Sequence, residues 1–133
     1  MRQTIIPIKP IDEIKTKVRV AAYIRVSTNK EDQQNSFAAQ YIHYKKLFED
    51  SLTEELIDIY SDEGITGTST EKRDGFNRMI EDCEKGRIQR IYVKSISRFG
   101  RNTVECLSHI RYLKSKGISV YFEKEELDTA IEE

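Results

Sequence analysis

The sequence predicts an α/β domain with a mainly parallel sheet of four to five strands and helices on both faces. Strand-like and helix-like segments alternate along the chain, and this alternation is typical of a parallel sheet crossed by helices. The 133 residues suffice for one domain with a single core, and no internal repeat interrupts the order.

Four segments have the composition of strands. Residues 18–26, VRVAAYIRV, are β-branched or small with few polar positions, which predicts a strand covered on both faces. Residues 54–60, EELIDIY, alternate as a strand does. Residues 90–96, RIYVKSI, and 118–123, ISVYFE, complete the predicted sheet.

Three segments between these strands have apolar residues at helical spacing, which predicts helices packed on a core. The first covers 35–49, the second ends at Gly86, and the third covers 102–116. Asn102 precedes Glu105 by three residues, as in a capping box. The predicted apolar stripes are Phe37, Tyr41, Tyr44 and Phe48; Phe76, Met79, Ile80 and Cys83; and Val104, Leu107, Ile110 and Leu113.

Composition argues against several classes of protein. The net charge is -1, and no apolar run approaches the roughly 20 residues of a membrane span. The amino-terminal stretch lacks the apolar core of a secretory signal, so we expect a cytoplasmic protein. Cys83 and Cys106 lack metal-type spacing, and no carboxylate cluster suggests a metal, so we expect no metal, no cofactor and buried cysteines.

Three segments bring hydroxyl and guanidinium groups to one edge of the predicted sheet. The carboxyl ends of parallel strands meet at one edge, where ligands of such sheets bind. Ser27 follows the first strand, the GITGTST loop follows the second, and Ser97, Arg98 and Arg101 follow the third. Together with the helix amino termini at this edge, they predict a phosphate-like ligand.

A serine among guanidiniums has a specific chemical use. If the Ser27 hydroxyl attacked a phosphodiester, negative charge would build on the phosphoryl oxygens. Three arginines could then stabilise that charge without a metal, namely Arg25, Arg98 and Arg101.

Four segments together resemble the serine recombinase (resolvase/invertase) family, and most closely its large serine recombinase and transposon recombinase branch. They are VAAYIRVST (20–28), YSDEGITGTSTEKRDGFNRMI (60–80), IYVKSISRFGRNT (91–103) and LKSKGISVYFEKE (113–125). The four motifs occur in order and lie on the strand ends that the topology requires, so the resemblance is specific.

The resemblance implies a site-specific recombinase that joins Ser27 covalently to a 5′ phosphate of double-stranded DNA and later reverses the attack, without ATP. Arg25, Arg98 and Arg101 match the family's active-site arginines, and Arg73 matches a further basic residue in the loop after the second strand. Supporting positions in relatives match Tyr23, Gln40, Asp62 and Thr66. The partners implied are DNA and further subunits, as a dimer and as a synaptic tetramer of the full-length protein.

The chain departs from the pattern of many small resolvases at Ser97, where they have an aspartate before the first arginine of this motif. The departure leaves any acid role of residue 97 in doubt, although serine is familiar there in the large branch. Asp62 could supply a carboxylate instead. No general base is identified, because neither His43 nor His109 sits near the end of a predicted strand.

The resemblance also implies the domain organisation. Residues 1–17 are an amino-terminal extension, 18–125 are the catalytic domain, and 126–133 are a tail that leads toward a long helix and a DNA-binding region. An isolated domain of this extent is expected to be inactive by itself if site binding needs those parts.

Two other functions fit parts of the sequence. A non-catalytic regulatory or interaction domain would keep the fold without the reaction, although the intact Arg25 and Ser27 pair argues against it. A small phosphate-ester or nucleotide-binding enzyme of the doubly wound type is disfavoured, because no glycine fingerprint follows the first strand.

Overall fold

The computed structural model describes residues 16–27, 36–64 and 73–131, and its elements follow the predicted order. The strands are β1 (Val18–Ser27), β2 (Glu54–Gly64), β3 (Arg90–Val93), β4 (Ser119–Phe122) and β5 (Leu127–Asp128). The helices are α1 (Phe37–Glu49), α2 (Asp74–Glu84) and α3 (Thr103–Ser115), with a 3₁₀ turn at Ile96–Arg98.

The strands form one five-stranded sheet in the order β2-β1-β3-β4-β5. β1 to β4 are parallel, and β5 is antiparallel to β4. α1 packs on one face of the sheet, while α2 and α3 pack on the other. The predicted fold class, a mainly parallel sheet with helices on both faces, is therefore confirmed.

β1 forms the centre of both cores. Val20, Ala22 and Ile24 point to the face that α1 covers, whereas Ala21 and Tyr23 point to the face that α2 and α3 cover. All five side chains are fully buried, because successive side chains of a strand alternate between the two faces of the sheet. The composition of residues 18–26 predicted a strand covered on both faces, and this prediction is confirmed.

The buried face of α1 differs from the predicted stripe. Tyr44 and Phe48 are buried as expected, but Phe37 and Tyr41 are 43% and 40% exposed, so the core prediction is wrong for these two. The buried stripe instead continues through Gln40, four residues before Tyr44. The spacing of apolar residues cannot predict that a polar residue such as Gln40 is buried.

The buried face of α3 also differs from the prediction. Leu113 is buried, but Val104 is 77% exposed, and Cys106 takes its place on the inner face. The reason lies in the preceding turn, which packs directly against the first turn of the helix. A Cβ atom added at Gly100 would lie 2.7 Å from the backbone nitrogen of Cys106, so only glycine permits this approach.

Two strands end at other residues than predicted. β2 continues to Gly64 instead of ending at residue 60, because β1 pairs with it as far as Ser27. β3 ends at Val93 instead of continuing to residue 96, because the following residues form the 3₁₀ turn. Both changes lie at the edge of the sheet where the site was predicted.

β5 was not expected from the charged carboxyl-terminal sequence. Its Asp128 accepts hydrogen bonds from both terminal nitrogens of Arg90, at 3.1 and 2.8 Å. Arg90 also lies 3.2 Å from the Glu54 carboxylate, and its guanidinium contacts the ring of Tyr92. The ion pair of Arg90 and Asp128 therefore holds β5, near the end of the described chain, beside β4.

Two expectations from composition concern burial and membranes. Cys83 and Cys106 are buried, as expected, and burial raises the pKa of both thiols. Within the described ranges, no helix is long and apolar enough to cross a membrane.

Candidate active site

The order of the strands creates a crevice between β1 and β3. From β1 the chain crosses one face through α1 to β2, and it returns across the other face through α2 to β3. At such a switch point the connections diverge, and ligands of open α/β sheets bind beyond the carboxyl ends of the two strands. Arg25 lies in the last part of β1, and Ser27 is its final residue, in register with Gly64 of β2.

Asp62 lies beside Arg25 on β2 and anchors the amino terminus of α2. Its carboxylate accepts three hydrogen bonds, from the Tyr23 hydroxyl at 2.6 Å and from the backbone nitrogens of Gly75 and Phe76 at 2.7 and 2.9 Å. An acidic side chain at this end of a helix satisfies free N–H groups and complements the helix dipole. Asp62 is thus a helix cap supplied by a neighbouring strand.

Tyr23 is fully buried below the edge of the sheet. Burial, and next the hydrogen bond to Asp62, raise the pKa of the Tyr23 phenol above its ordinary value. The phenol therefore stays neutral at physiological pH and donates a hydrogen bond to Asp62. With three donors on its oxygens, the Asp62 carboxylate is committed to structure, which argues against the idea that it replaces the carboxylate missing at residue 97.

Arg73 lies at the cap position of α2 with only 8% of its surface exposed. One terminal nitrogen, Nη2, donates to the Phe99 carbonyl oxygen at 2.9 Å and to the Tyr23 hydroxyl at 3.3 Å. The guanidinium carbon lies 3.9 Å from the centre of the Phe76 ring. The other two donor atoms, Nε and Nη1, have no hydrogen-bond partner among the residues that the structure describes.

Arg98 joins the segment after β3 to β1. Its Nη1 donates to the Arg25 carbonyl oxygen at 2.9 Å, which spans the crevice between the two strands. The 3₁₀ turn presents Arg98 in this direction, and the turn is closed by a hydrogen bond from the Arg98 nitrogen to the Ser95 carbonyl. Ser97 is exposed on the same turn, with its hydroxyl 3.0 Å from that of Ser95. The Arg98 side chain thus contacts the backbone of Arg25 at the predicted edge of the sheet.

Arg101 is half exposed and pairs with Glu105, for which the sequence predicts only a role in the cap of α3. The Arg101 backbone nitrogen donates to Glu105 Oε1 at 2.5 Å, and its Nη2 donates to Oε2 at 3.1 Å. The Asn102 side chain accepts from the Glu105 nitrogen as predicted, but the Glu105 carboxylate bonds to Arg101 and not to Asn102. The capping box is therefore only half formed.

The carboxylate of Glu105 also approaches Arg73, whose Nη1 lies 3.8 Å from Oε1. Burial alone would raise the pKa of Glu105, but the hydrogen bonds and charge of Arg101 outweigh it, so the pKa lies below its ordinary value. Glu105 is therefore an anion at neutral pH. Its position four residues after Arg101, in the first turn of α3, is the signal that could have identified it.

Gln40 lies on α1 at the wall of a groove of about 400 Å³. Across this groove, Glu123 accepts a hydrogen bond from the Tyr44 hydroxyl at 2.8 Å and lies 2.8 Å from His43 Nε2. Because Glu123 directly follows β4, the expectation that neither histidine sits near a strand end is wrong for His43. Helical spacing gives no information about this long-range contact.

His109 lies on the other face, half buried on α3. Its ring packs 4.7 Å from that of Phe76, and burial and the charge of Arg73 lower its pKa. Thr66, the remaining predicted site residue, lies outside the described residues. The described residues include no group of side chains that could hold a metal ion.

Known structures share this fold. A resolvase family site-specific recombinase from Streptococcus pneumoniae is 30% identical, with a TM-score of 0.70 over 88% of this chain and 79% of that one. The N-terminal catalytic domain of TP901-1 integrase is 25% identical, with a TM-score of 0.71 over 85% of this chain and 83% of that one. The C-terminal catalytic domain of ISC1926 TnpA, an IS607-like serine recombinase, shares the fold at 15% identity, with a TM-score of 0.60 over 80% of this chain and 70% of that one.

Sequence families give the same result. No curated protein matches the sequence significantly. Residues 20–133, which begin at the third residue of β1 and include all later elements, match the family of the resolvase N-terminal domain. The chain therefore belongs to the resolvase family and is the catalytic domain of a serine site-specific recombinase.

Proposed function

We propose that Ser27 is the nucleophile of this domain and attacks a phosphodiester of double-stranded DNA. The serine oxygen forms a bond to phosphorus, the bond to the 3′ oxygen breaks, and that oxygen leaves as a hydroxyl after taking up a proton. In the second step a 3′ hydroxyl attacks the phosphoserine and releases the serine. The number of phosphoester bonds is unchanged, so the reaction needs no ATP.

The observation that carries this proposal is the contact between Arg98 and Arg25 across the crevice at the end of β1. The Arg98 guanidinium reaches the Arg25 carbonyl oxygen at 2.9 Å, two residues before Ser27. A phosphate bound beyond this strand end would lie among arginine side chains that stay charged at every relevant pH. Charge developing on its oxygens would be stabilised there, which is the main requirement for this displacement.

The other predicted residues support this chemistry in separate ways. We assign Arg73 and Arg101 to the phosphate, because two donor atoms of Arg73 lack a partner among the residues described and Arg101 is exposed to solvent. Tyr23 and Asp62 hold Arg73 and the start of α2 in place. Gln40, Thr66 and Ser97 remain predicted contacts of the DNA backbone or of the site.

The proton of Ser27 goes to a group other than Asp62 in this proposal. Asp62 already accepts three hydrogen bonds, which hold Tyr23 and the start of α2 in place. Positive charge from the arginines lowers the pKa of a nearby hydroxyl, which reduces the demand on any base.

The family acts on DNA and works through association of subunits. For this chain we propose the finer assembly of a dimer on each DNA site and a tetramer that joins two sites. The reaction would take place in the cytoplasm of a bacterial or mobile-element host cell, where the DNA is accessible.

The test uses the natural full-length protein and a DNA site with a nick that traps the covalent intermediate. Wild type is expected to form a protein–DNA adduct that survives denaturant, and Ser27→Ala is expected to form none while it still binds the site. Ser115→Ala, at the far end of α3, is the matched control and should form the adduct normally. An adduct in Ser27→Ala would exclude Ser27 as the nucleophile. DNA binding without an adduct in wild type would favour a non-catalytic domain.

A further inference from the structure

The carboxylate of Glu105 lies between two guanidiniums of the site. It accepts from the backbone nitrogen and the side chain of Arg101, and it lies 3.8 Å from Nη1 of Arg73. Glu105 is in the first turn of α3, where free N–H groups and the helix dipole favour negative charge. An internal anion thus occupies a position that is electrostatically suited to any anion.

Arg73 offers further hydrogen-bond donors beside the Glu105 carboxylate. Its side chain is more than nine-tenths buried, and its Nε and Nη1 have no hydrogen-bond partner within the described ranges. The distance from Nη1 to Glu105 exceeds that of a hydrogen bond, so the carboxylate lowers the electrostatic cost of burying Arg73 without satisfying its donors. A phosphate has more acceptor oxygens than a carboxylate and could satisfy both.

The exposures of the residues involved permit an exchange of partners. The Arg101 side chain is 44% exposed and that of Glu105 is 23% exposed, whereas Arg73 is fixed by its contacts with Phe99 and Tyr23. The members of the cluster that solvent reaches are therefore Arg101 and Glu105. An exposed ion pair of this kind is weak and can be replaced at low cost.

We propose that Glu105 is a positioning residue that takes the place of a DNA phosphate between Arg73 and Arg101 in the free protein. Glu105 holds Arg101 in the site, and it gives up this arginine when a phosphate enters. The inference rests on the proposed function, because it concerns the same anion site. It adds that Glu105 and phosphate compete for Arg101. Glu105 therefore weakens the binding of phosphate while it keeps Arg101 in position.

The main competing explanation is that Glu105 only stabilises the start of α3. Glu105→Gln separates the two roles, because the amide oxygen can still accept from the Arg101 nitrogen while the negative charge is lost. Glu81→Gln, on the exposed side of α2, removes the same charge without altering the site and is the matched control.

The experiment measures the affinity of the 133-residue chain for inorganic phosphate by NMR, following the side-chain Nε–H groups of Arg73 and Arg101. Glu105→Gln is expected to bind phosphate more tightly by a factor on the order of five, as expected when a unit charge near a partly solvated anion is removed. Glu81→Gln is expected to bind like wild type. In an Arg101→Gln background, Glu105→Gln is expected to give a smaller gain, because no Arg101 guanidinium is then released to the phosphate.

Wild type provides a second measurement that does not depend on a variant. The side-chain carboxyl carbon of Glu105 and Nε–H of Arg101 should shift during the titration with the same midpoint, because one group releases the other. Different midpoints, an unchanged affinity in Glu105→Gln, an equal gain in Glu81→Gln, a gain that is just as large without Arg101, or no phosphate binding would each overturn the inference. Phosphate binding is measured without DNA cleavage, so a failed adduct test for Ser27 would leave this result unaffected.

Discussion

Asp62→Ala should lower the free energy of unfolding by about 3 kcal/mol. The change removes the cap of α2, and loss of a capping side chain costs about 1 kcal/mol. It also leaves the fully buried hydroxyl of Tyr23 without its acceptor, which costs about 2 kcal/mol. Tyr23 still accepts from Arg73, so only its donor is left unsatisfied.

The assay is chemical denaturation of the isolated chain followed by circular dichroism, together with a thermal melt. A loss of 3 kcal/mol corresponds to a fall in melting temperature of about 12 °C for a domain of this size. Glu63→Ala, the adjacent exposed position on β2, is the matched control and should change the free energy of unfolding by less than about 0.5 kcal/mol.

A double-mutant cycle with Tyr23→Phe tests the cause. Tyr23→Phe removes one of the three hydrogen bonds of Asp62 and should cost about 1 kcal/mol. In the double variant the two losses should fall short of their sum by about 1 kcal/mol, because both remove the same bond. If Asp62→Ala matches Glu63→Ala in stability, Asp62 is not the anchor of α2 and the argument about its commitment to structure fails.

Two further changes test the packing and the charge pairs. Gly75→Ala should destabilise the chain by about 3 kcal/mol, because the added Cβ would lie 2.1 Å from the Ser61 carbonyl oxygen. Asn77→Ala on the same helix is its control, and equal melting temperatures would refute the close approach. Asp128→Asn should cost about 1 kcal/mol at neutral pH through its bond to Arg90. Hydrogen bonding to Arg90 outweighs burial and lowers the pKa of Asp128 below its ordinary 3.8, so this difference should persist above pH 3.8 and vanish as the pH falls through the lower folded value. A difference that is unchanged in acid would contradict this.

The strands and their parallel arrangement in the sheet could be predicted from the sequence, because the patterns that indicate them are local. The composition of residues 18–26 predicted a strand buried on both faces, and the alternation of elements predicted the parallel order. Since parallel strands end at one edge, this order also placed Arg25 and Arg98 at the same edge, where the Arg98 side chain contacts the Arg25 backbone. Local periodicity and a topological rule were enough for these features.

The polar contacts of the site could not be predicted in this way. Tyr23 and Asp62 are 39 residues apart, and His43 and Glu123 are 80 residues apart, so no local pattern marks either pair. Their partners depend on the register of β1 with β2 and on the position of α1 over β4. Asp62 was predicted as a supporting residue only through resemblance, and its role as a cap for another element became evident from the structure.

Stability and anion binding impose opposite demands on Arg73. Two donor atoms of this buried guanidinium have no partner among the described residues, and each such atom costs on the order of 1–3 kcal/mol, so a chain selected for stability alone would be expected to pair or replace them. Asp62 and Tyr23 fix the position of this side chain without using those donors. Glu105 reduces the electrostatic cost from a distance of 3.8 Å. The arrangement therefore keeps a rigid cation with free donors next to an exchangeable carboxylate, and a phosphate that displaces Glu105 would gain the hydrogen bonds that folding leaves unmade.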